Sequence, residues 1–339
     1  MRRPVLLGLI AAIILVLGLG GYTVFWRIAA GRIEAGALDW AQAARQQGID
    51  ASWQGMRVGG YPFGFRIEMT GFHASDTVSV PAVEVTAPVL TATVPIWNPN
   101  EAALAAPDGL SAKGAALATL TAARADGTVA AGAAGGGWVW LRLDAARLET
   151  PMPLIGGHSK TAQLWLILPA TVPSRHTDRN VALAADLRDV SVPVAVPALG
   201  KTIAGVAFGI TVMGAIPSGP PRQAAVAWRD SGGTADLDHL DLSWGPLRIA
   251  ASGTVALDRE LQPIGSFSGA VGGVDALLKA LTAAGELRPS DARLAGLALR
   301  LMERPGPDGK PQVATSFSIQ NGEIFLGPAR LGRMPHLDW

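Results

Sequence analysis

Ser231, within Asp230-Ser231-Gly232-Gly233, is the serine whose neighbours best suit a nucleophile. Acyl transfer there would need a histidine base and a carboxylate to orient it. His73, His158 and His176 precede it, but none has the flanking residues of a recognisable base. Asp-Ser-Gly-Gly is also ordinary turn composition, and a turn is the reading adopted. Asp236, Asp238, His239 and Asp241 offer the oxygen and imidazole donors of a divalent cation, provided that they converge. They alternate with Leu237, Leu240 and Leu242, so the acidic groups are expected on a solvated strand face. The five histidines show neither H-x-H nor H-E-x-x-H spacing, which argues against zinc. Trp138 and Trp140 share one side of a strand and could stack on a sugar, although sheet packing is the commoner use of such pairs. Gly132–Gly137 lacks the Lys-Ser/Thr and helix start of a phosphate loop. The residues therefore nominate no catalytic, cofactor-binding or metal-binding site, and no enzyme is expected.

The element that dominates the sequence is at its N-terminus. Val5 to Trp26 are 22 residues without a charge. At 1.5 Å per residue they reach about 33 Å, enough for a bilayer core. Arg2 and Arg3 favour a cytoplasmic start. A cleaved signal peptide fits less well, because the run is long and Thr23-Val24-Phe25-Trp26 is a poor cleavage site. Residues 1–4 are thus expected as a cytoplasmic tail and 5–26 as an anchor. A juxtamembrane helix at 27–48 follows, carrying Ile28, Ile33, Ala37, Trp40 and Ala44 on one stripe. Residues 49–339 form an exported domain, in one piece or in halves near 49–215 and 222–339.

From Ile49 the apolar period becomes two. Phe65, Ile67 and Met69 alternate with Arg66, Glu68 and Thr70. Between two strands, Gly59-Gly60-Tyr61-Pro62-Phe63-Gly64 fits a type I turn with Pro62 second, or a cis Tyr61–Pro62 bond; both stay open. Val78–Trp97 reads as a long, interrupted strand pair that changes phase between Val89 and Leu90, and Pro81, Pro88 and Pro95 imply edges, bulges or breaks. Further strands are predicted at Trp138–Leu148, Ala162–Leu168, Val181–Val192, Ala235–Trp244, Leu247–Leu257 and Val313–Leu326. Connections are predicted at Asn98–Lys113, Asp126–Gly137, Pro217–Arg222 and Pro305–Lys310. With Asn321-Gly322 as a type I′ turn, Ile319 faces Ile324 and Phe317 faces Leu326. Helices are predicted at Val274–Ala284 and Asp291–Glu303. The second has Ser290 as N-cap and Leu294, Leu297, Leu301 and Met302 as its apolar face. The fold class is mainly β (α+β): a membrane helix, then a curved antiparallel sheet with a few packed helices near both ends.

Composition narrows the classes. Net charge +1 gives no electrostatic case for nucleic acid, and 49% hydrophobic residues argue against disorder. No cysteine is present to build a disulfide framework or a lipid-anchored N-terminus.

Gly59-Gly60-Tyr61-Pro62-Phe63-Gly64-Phe65, the helix Val274–Leu287 and Asn321-Gly322-Glu323-Ile324-Phe325-Leu326-Gly327-Pro328 together resemble domain-of-unknown-function family 2125, a family of anchored bacterial envelope proteins. More loosely, the strand–Gly–strand texture is similar to AsmA-like envelope proteins, which implies a curved β-groove and a role in lipid handling. The expectation is a non-enzymatic protein of the inner membrane, held through Val5 to Trp26 with its C-terminal domain periplasmic. It would contact lipid or serve envelope maintenance. The alternatives are a scaffold for an envelope protein partner and, third, an anchored hydrolase using Ser231 or the Asp236–Asp241 cluster. An open groove and a closed core are equally compatible with the strands.

Overall fold

The computed structural model describes residues 3–46, 48–76, 83–114, 118–132, 135–150, 157–217, 219–306, 309–327, 329–334, 336 and 337. The first two residues of the predicted tail, the start of the Val78–Trp97 segment with Pro81, and the centre of Gly132–Gly137 lie outside these.

A single helix, α1 (Arg3–Gln46), joins the predicted anchor and juxtamembrane helix without a break. Strands β1 (Ile49–Ser52), β2 (Gly55–Gly59), β3 (Gly64–Asp76), β4 (Val83–Pro95), β5 (Glu101–Ala106) and β6 (Leu110–Lys113) follow. Then come β7 (Thr119–Ala122), β8 (Arg124–Ala131), β9 (Gly137–Glu149), β10 (Gly157–Leu168), β11 (Arg179–Val196) and β12 (Gly200–Met213). Helix α2 (Pro221–Asp230) precedes β13 (Ala235–Trp244), β14 (Leu247–Leu257) and β15 (Pro263–Gly272). A helical pair, α3 (Val274–Ala283) and α4 (Pro289–Met302), leads to β16 (Glu303–Pro305), β17 (Pro311–Gln320), β18 (Glu323–Leu326) and β19 (Ala329–Arg333).

The nineteen strands of the described residues belong to one sheet, and every pairing in it is antiparallel. β1 and β2 lie end to end on one edge of β3, as β5/β6 do on β4 and β7/β8 on β9. From β9 to β15 each strand pairs with the next, and β17, β18 and β19 complete the ladder. β12 pairs directly with β13 across α2. The strands make their main contacts with ladder neighbours, and those of the described residues form this one sheet.

A crease crosses this layer. Gly71, Ala145 and Asp189 have left-handed backbones, φ 60°, 50° and 50°. Register places Gly71 opposite Pro88 and Ala145 opposite Lys160, with Asp189 on the next strand but one. Each residue turns its strand's alternation over, so Phe72 and Ala87 pack with Leu90, Ala106, Ala125 and Leu143 on a common face. The phase change in Val83–Pro95 is therefore neither the break of a strand pair nor the expected one-residue bulge, since β4 is one strand throughout. β3 and β4 keep one register from Gly64↔Pro95 to Asp76↔Val83, and the crease inverts both strands together. Pro88 sits where β5 ends and β6 begins on the neighbouring edge, a break in the ladder that needs no amide from it.

Several expectations are corrected. Asn98–Lys113 and Asp126–Gly137 are not connections, since they hold β5, β6 and most of β8. Pro217–Arg222 already contains the start of α2. β12 and β15 carry interior glycines that weaken the alternation, and both went unpredicted. Ser290 is not an N-cap: Arg288 holds that position, Pro289 is the first helical residue, and the Ser290 hydroxyl meets Asp291 at 3.2 Å. On α1 the packed stripe is Ala30, Ile33, Ala37, Ala41 and Ala44, while Ile28 and Trp40 face outward at 55% and 54% exposure. The type I′ hairpin stands as predicted, with Asn321 and Gly322 at φ 52° and 68° and Ile319↔Ile324, Phe317↔Leu326 in register.

Candidate functional site

The crease and the alternation together sort side chains into two unlike faces. On one, Val58, Ile67, Ala92 and Leu104 continue through Gly127 to Leu141, Leu164, Ala185, Phe208, Leu240 and Ala251 as a cross-strand row. A second row runs Val129, Val139, Leu166, Leu183, Ile210, Leu237, and on through Gly253 to Phe267, Phe317 and Leu326. A third runs Ala106, Ala125, Leu143, Ala162, Leu187, Val206, Leu242, Ile249, Val271 and Val313. Between Leu237 and Leu240 a bulge on β13 keeps both leucines on this face despite their odd spacing.

The opposite face is polar over β2–β11. Arg57, Glu68, Thr91, Ala105, Asp126, Arg142, Gln163 and Asp186 form one of its rows. Its arginines and carboxylates pair along their own strands: Arg124–Asp126 at 2.6 Å, Arg142–Asp144 at 3.1 Å and Arg188–Asp186 at 2.6 Å. The hydrogen bonds from the Arg124 guanidinium hold the Asp126 carboxyl below the usual carboxylate range. Trp140 and Trp165 pair across strands on this polar side, with Trp138 beside them.

Burial shows that most of the apolar face is half-covered. Among the described residues Leu143 and Leu261, each 2% exposed, are the largest buried side chains, and the core consists mostly of alanine. The one cluster, Ala87, Ala106, Ala122, Ala125, Leu143, Ala146 and Ala162, lies along the crease and is shaded by Phe72, Leu110, Leu120 and Leu164 of the same layer. Side chains shade one another in this way where a face is concave. A folded monomer of 35.0 kDa exposes about 13,000 Å², whereas this chain exposes 20,870 Å². A projecting helix and a single-layer sheet produce such an excess.

Of the residues singled out for chemistry, the structure brings only His176 near the Ser231 turn. The Ser231 hydroxyl donates to the Trp228 carbonyl at 2.8 Å at the end of α2. His176 lies beside Gly232, where an added side chain would meet its ring, whereas His73 is 3.7 Å from Glu84 and His158 2.9 Å from Arg147. Asp236 accepts from Thr254 at 2.8 Å and Asp238 from Thr211 at 2.7 Å, while Leu237, Leu240 and Leu242 point to the apolar face. No three His, Asp or Glu side chains converge as metal ligands among the described residues.

At the start of the sheet, α1 is tied to the first turn. Trp26 stacks on Phe65 and meets Tyr61 edge-on, and its indole donates to the Gly64 carbonyl at 3.0 Å. Tyr22 donates to the Pro62 carbonyl, and the Thr23 and Tyr61 hydroxyls are 2.8 Å apart. The Tyr61–Pro62 bond is cis, and the turn spans Gly60–Phe63, so Pro62 is third rather than second in it. The part of α1 from Ile13 onward is long and apolar enough to cross a membrane.

No curated protein and no solved structure matches the chain. A family model described as an uncharacterized protein conserved in bacteria, DUF2125, matches residues 26–335, nearly everything outside the apolar N-terminal run. On that match the chain belongs to the DUF2125 family.

Proposed function

We propose that this chain is a non-enzymatic protein of the bacterial inner membrane, tethered by α1, whose periplasmic sheet holds lipid acyl chains on its concave face. The observation that carries this reading is the set of three apolar rows crossing one sheet, most of whose larger side chains stay partly exposed between the crease and the helices that pack at the two ends of the sheet. Water against such a face is costly. Each methylene of an acyl chain that covers it contributes about 0.8 kcal/mol. The cross-strand rows are also non-directional, as binding of a flexible hydrocarbon requires. Arginines and carboxylates sit on the opposite face, paired with each other, which leaves the concave side free of charge along the rows.

Native mass spectrometry of the full chain after gentle detergent extraction tests the reading. Lipid should co-purify, and Leu164→Gln with Leu237→Gln should reduce its occupancy while the far-ultraviolet dichroism of the sheet is retained. A lipid-free chain from every preparation, or one that brings down a stoichiometric protein partner instead, would overturn it in favour of a scaffold.

A further inference from the structure

The strands adjoining α1 determine how close the sheet comes to the bilayer. From Ile49 to Gly59, β1 and β2 run back along α1 for about 36 Å at 3.3 Å per residue. Helix residues Tyr22 to Gln46 cover about the same distance at 1.5 Å each. The Gly60–Phe63 turn therefore arrives at Tyr22 and Thr23, and the hydrogen bonds there fix it in place. Those two residues belong to the charge-free run, about 6 Å on the membrane side of Arg27.

The next turn at this end of the sheet joins the first. The Ile96 amide donates to the Phe63 carbonyl at 3.3 Å, so Gly60–Phe63 and Ile96–Trp97 form one tip. That tip exposes Phe63 at 69%, Trp97 at 73%, Tyr61 at 46% and Ile96 at 39%. Glu101, the carboxylate beside Phe63 and Trp97, is engaged by Asn98 at 2.9 Å. At the other end of the same strands the surface is charged, with Glu84 bridging Lys113 at 3.6 Å and His73 at 3.7 Å. Aromatic side chains on a tip level with the end of a membrane span match the headgroup region of a bilayer, where amphipathic rings settle.

We propose that this tip, Tyr61 and Phe63 together with Ile96 and Trp97, inserts into the periplasmic-side interface of the bilayer that α1 crosses. The sheet would then stand on the membrane at a fixed angle instead of swinging on a free stalk. Phe65 and Val94, paired just above the tip, would lie at the level of the bilayer surface, Phe65 under the Trp26 ring. The inference rests on α1 spanning the membrane.

Depth-dependent fluorescence quenching tests it on the full chain in phosphatidylethanolamine/phosphatidylglycerol vesicles. The chain has no cysteine, so Phe63→Cys, Trp97→Cys, Lys113→Cys and Gly18→Cys each give one labelling site for an environment-sensitive probe. The two tip positions are exposed, and labelling there leaves packed residues in place. Probes at 63 and 97 should emit to the blue and lose intensity to lipids carrying a nitroxide near the headgroup. The probe at 113 should do neither, and the probe at 18 should be quenched by deep nitroxides. Quenching at 18 with none at 63 and 97 would overturn the insertion and leave the anchor standing. No quenching at 18 would overturn the anchor and the insertion with it.

Discussion

Alanine is the residue that allows this sheet to bend. At the crease, Ala87, Ala106, Ala122, Ala125, Ala146 and Ala162 keep strands close where larger side chains would collide on a concave face. Leu143 is the one large residue in the cluster, 2% exposed. Leu143→Ala should lower stability by about 2–4 kcal/mol, the cost of a cavity that closely packed alanines cannot refill. By contrast, Leu301 is 90% exposed, and Leu301→Lys should change stability by less than about 0.5 kcal/mol. Thermal unfolding of the detergent-solubilised chain compares the two, and equal losses would contradict the open packing. The sequence pointed the other way for α4. Leu294, Leu297, Leu301 and Met302 have helical spacing and look like a core stripe, yet all are exposed, and the helix packs through Ala292, Ala295 and Leu299. Period identifies an apolar stripe, but not whether anything lies opposite it.

At the scale of elements, the crease depends on residues that can leave the extended backbone. Gly71 has φ 60°, and a Cβ there would come within 2.6 Å of the Gln54 side chain. Gly71→Val should therefore cost at least about 1–2 kcal/mol through the left-handed backbone alone. Gly114→Ala, where a Cβ meets nothing within 4 Å, should be close to neutral. Unfolding midpoints of the two variants check this, and an indifferent Gly71→Val would mean that the crease tolerates a β-branched residue. Which strands were legible follows from composition. β9, β13, β14 and the β17–β18 hairpin alternate leucine, isoleucine, valine or aromatic residues with polar ones, and they were read close to their true bounds. β5 is largely alanine, a strong helix former and a weak strand former, and β6 and β8 carry few large apolar residues, so pairing with β4 and β9 is what makes them strands. β12 hides its alternation because Gly205 and Gly209 occupy its polar face, where Arg188 and His239 lie over them.

For the whole molecule, the test of orientation is independent of the sheet. The paired arginines at the start and the charge-free run predict that everything from about Arg27 onward lies outside the cytoplasm. Alkaline phosphatase fused after Trp339 should be active, and a fluorescent protein that folds only in the cytoplasm should stay dark there. A bright fusion would overturn the orientation. The sequence by itself determined the long apolar helix, the antiparallel mainly β class and the register of the last hairpin. These depend on hydropathy over one segment and on period over neighbouring residues, both local properties. How far the apolar rows are covered was decided by tertiary structure alone, with the crease row buried and most of the others half-exposed. Alternation of apolar and polar residues is the same for a strand in a sandwich and for a strand in a single layer. What separates the two here is the in-register crease, whose members Gly71, Ala145 and Asp189 are scattered through the chain and become a line only when the strands pair.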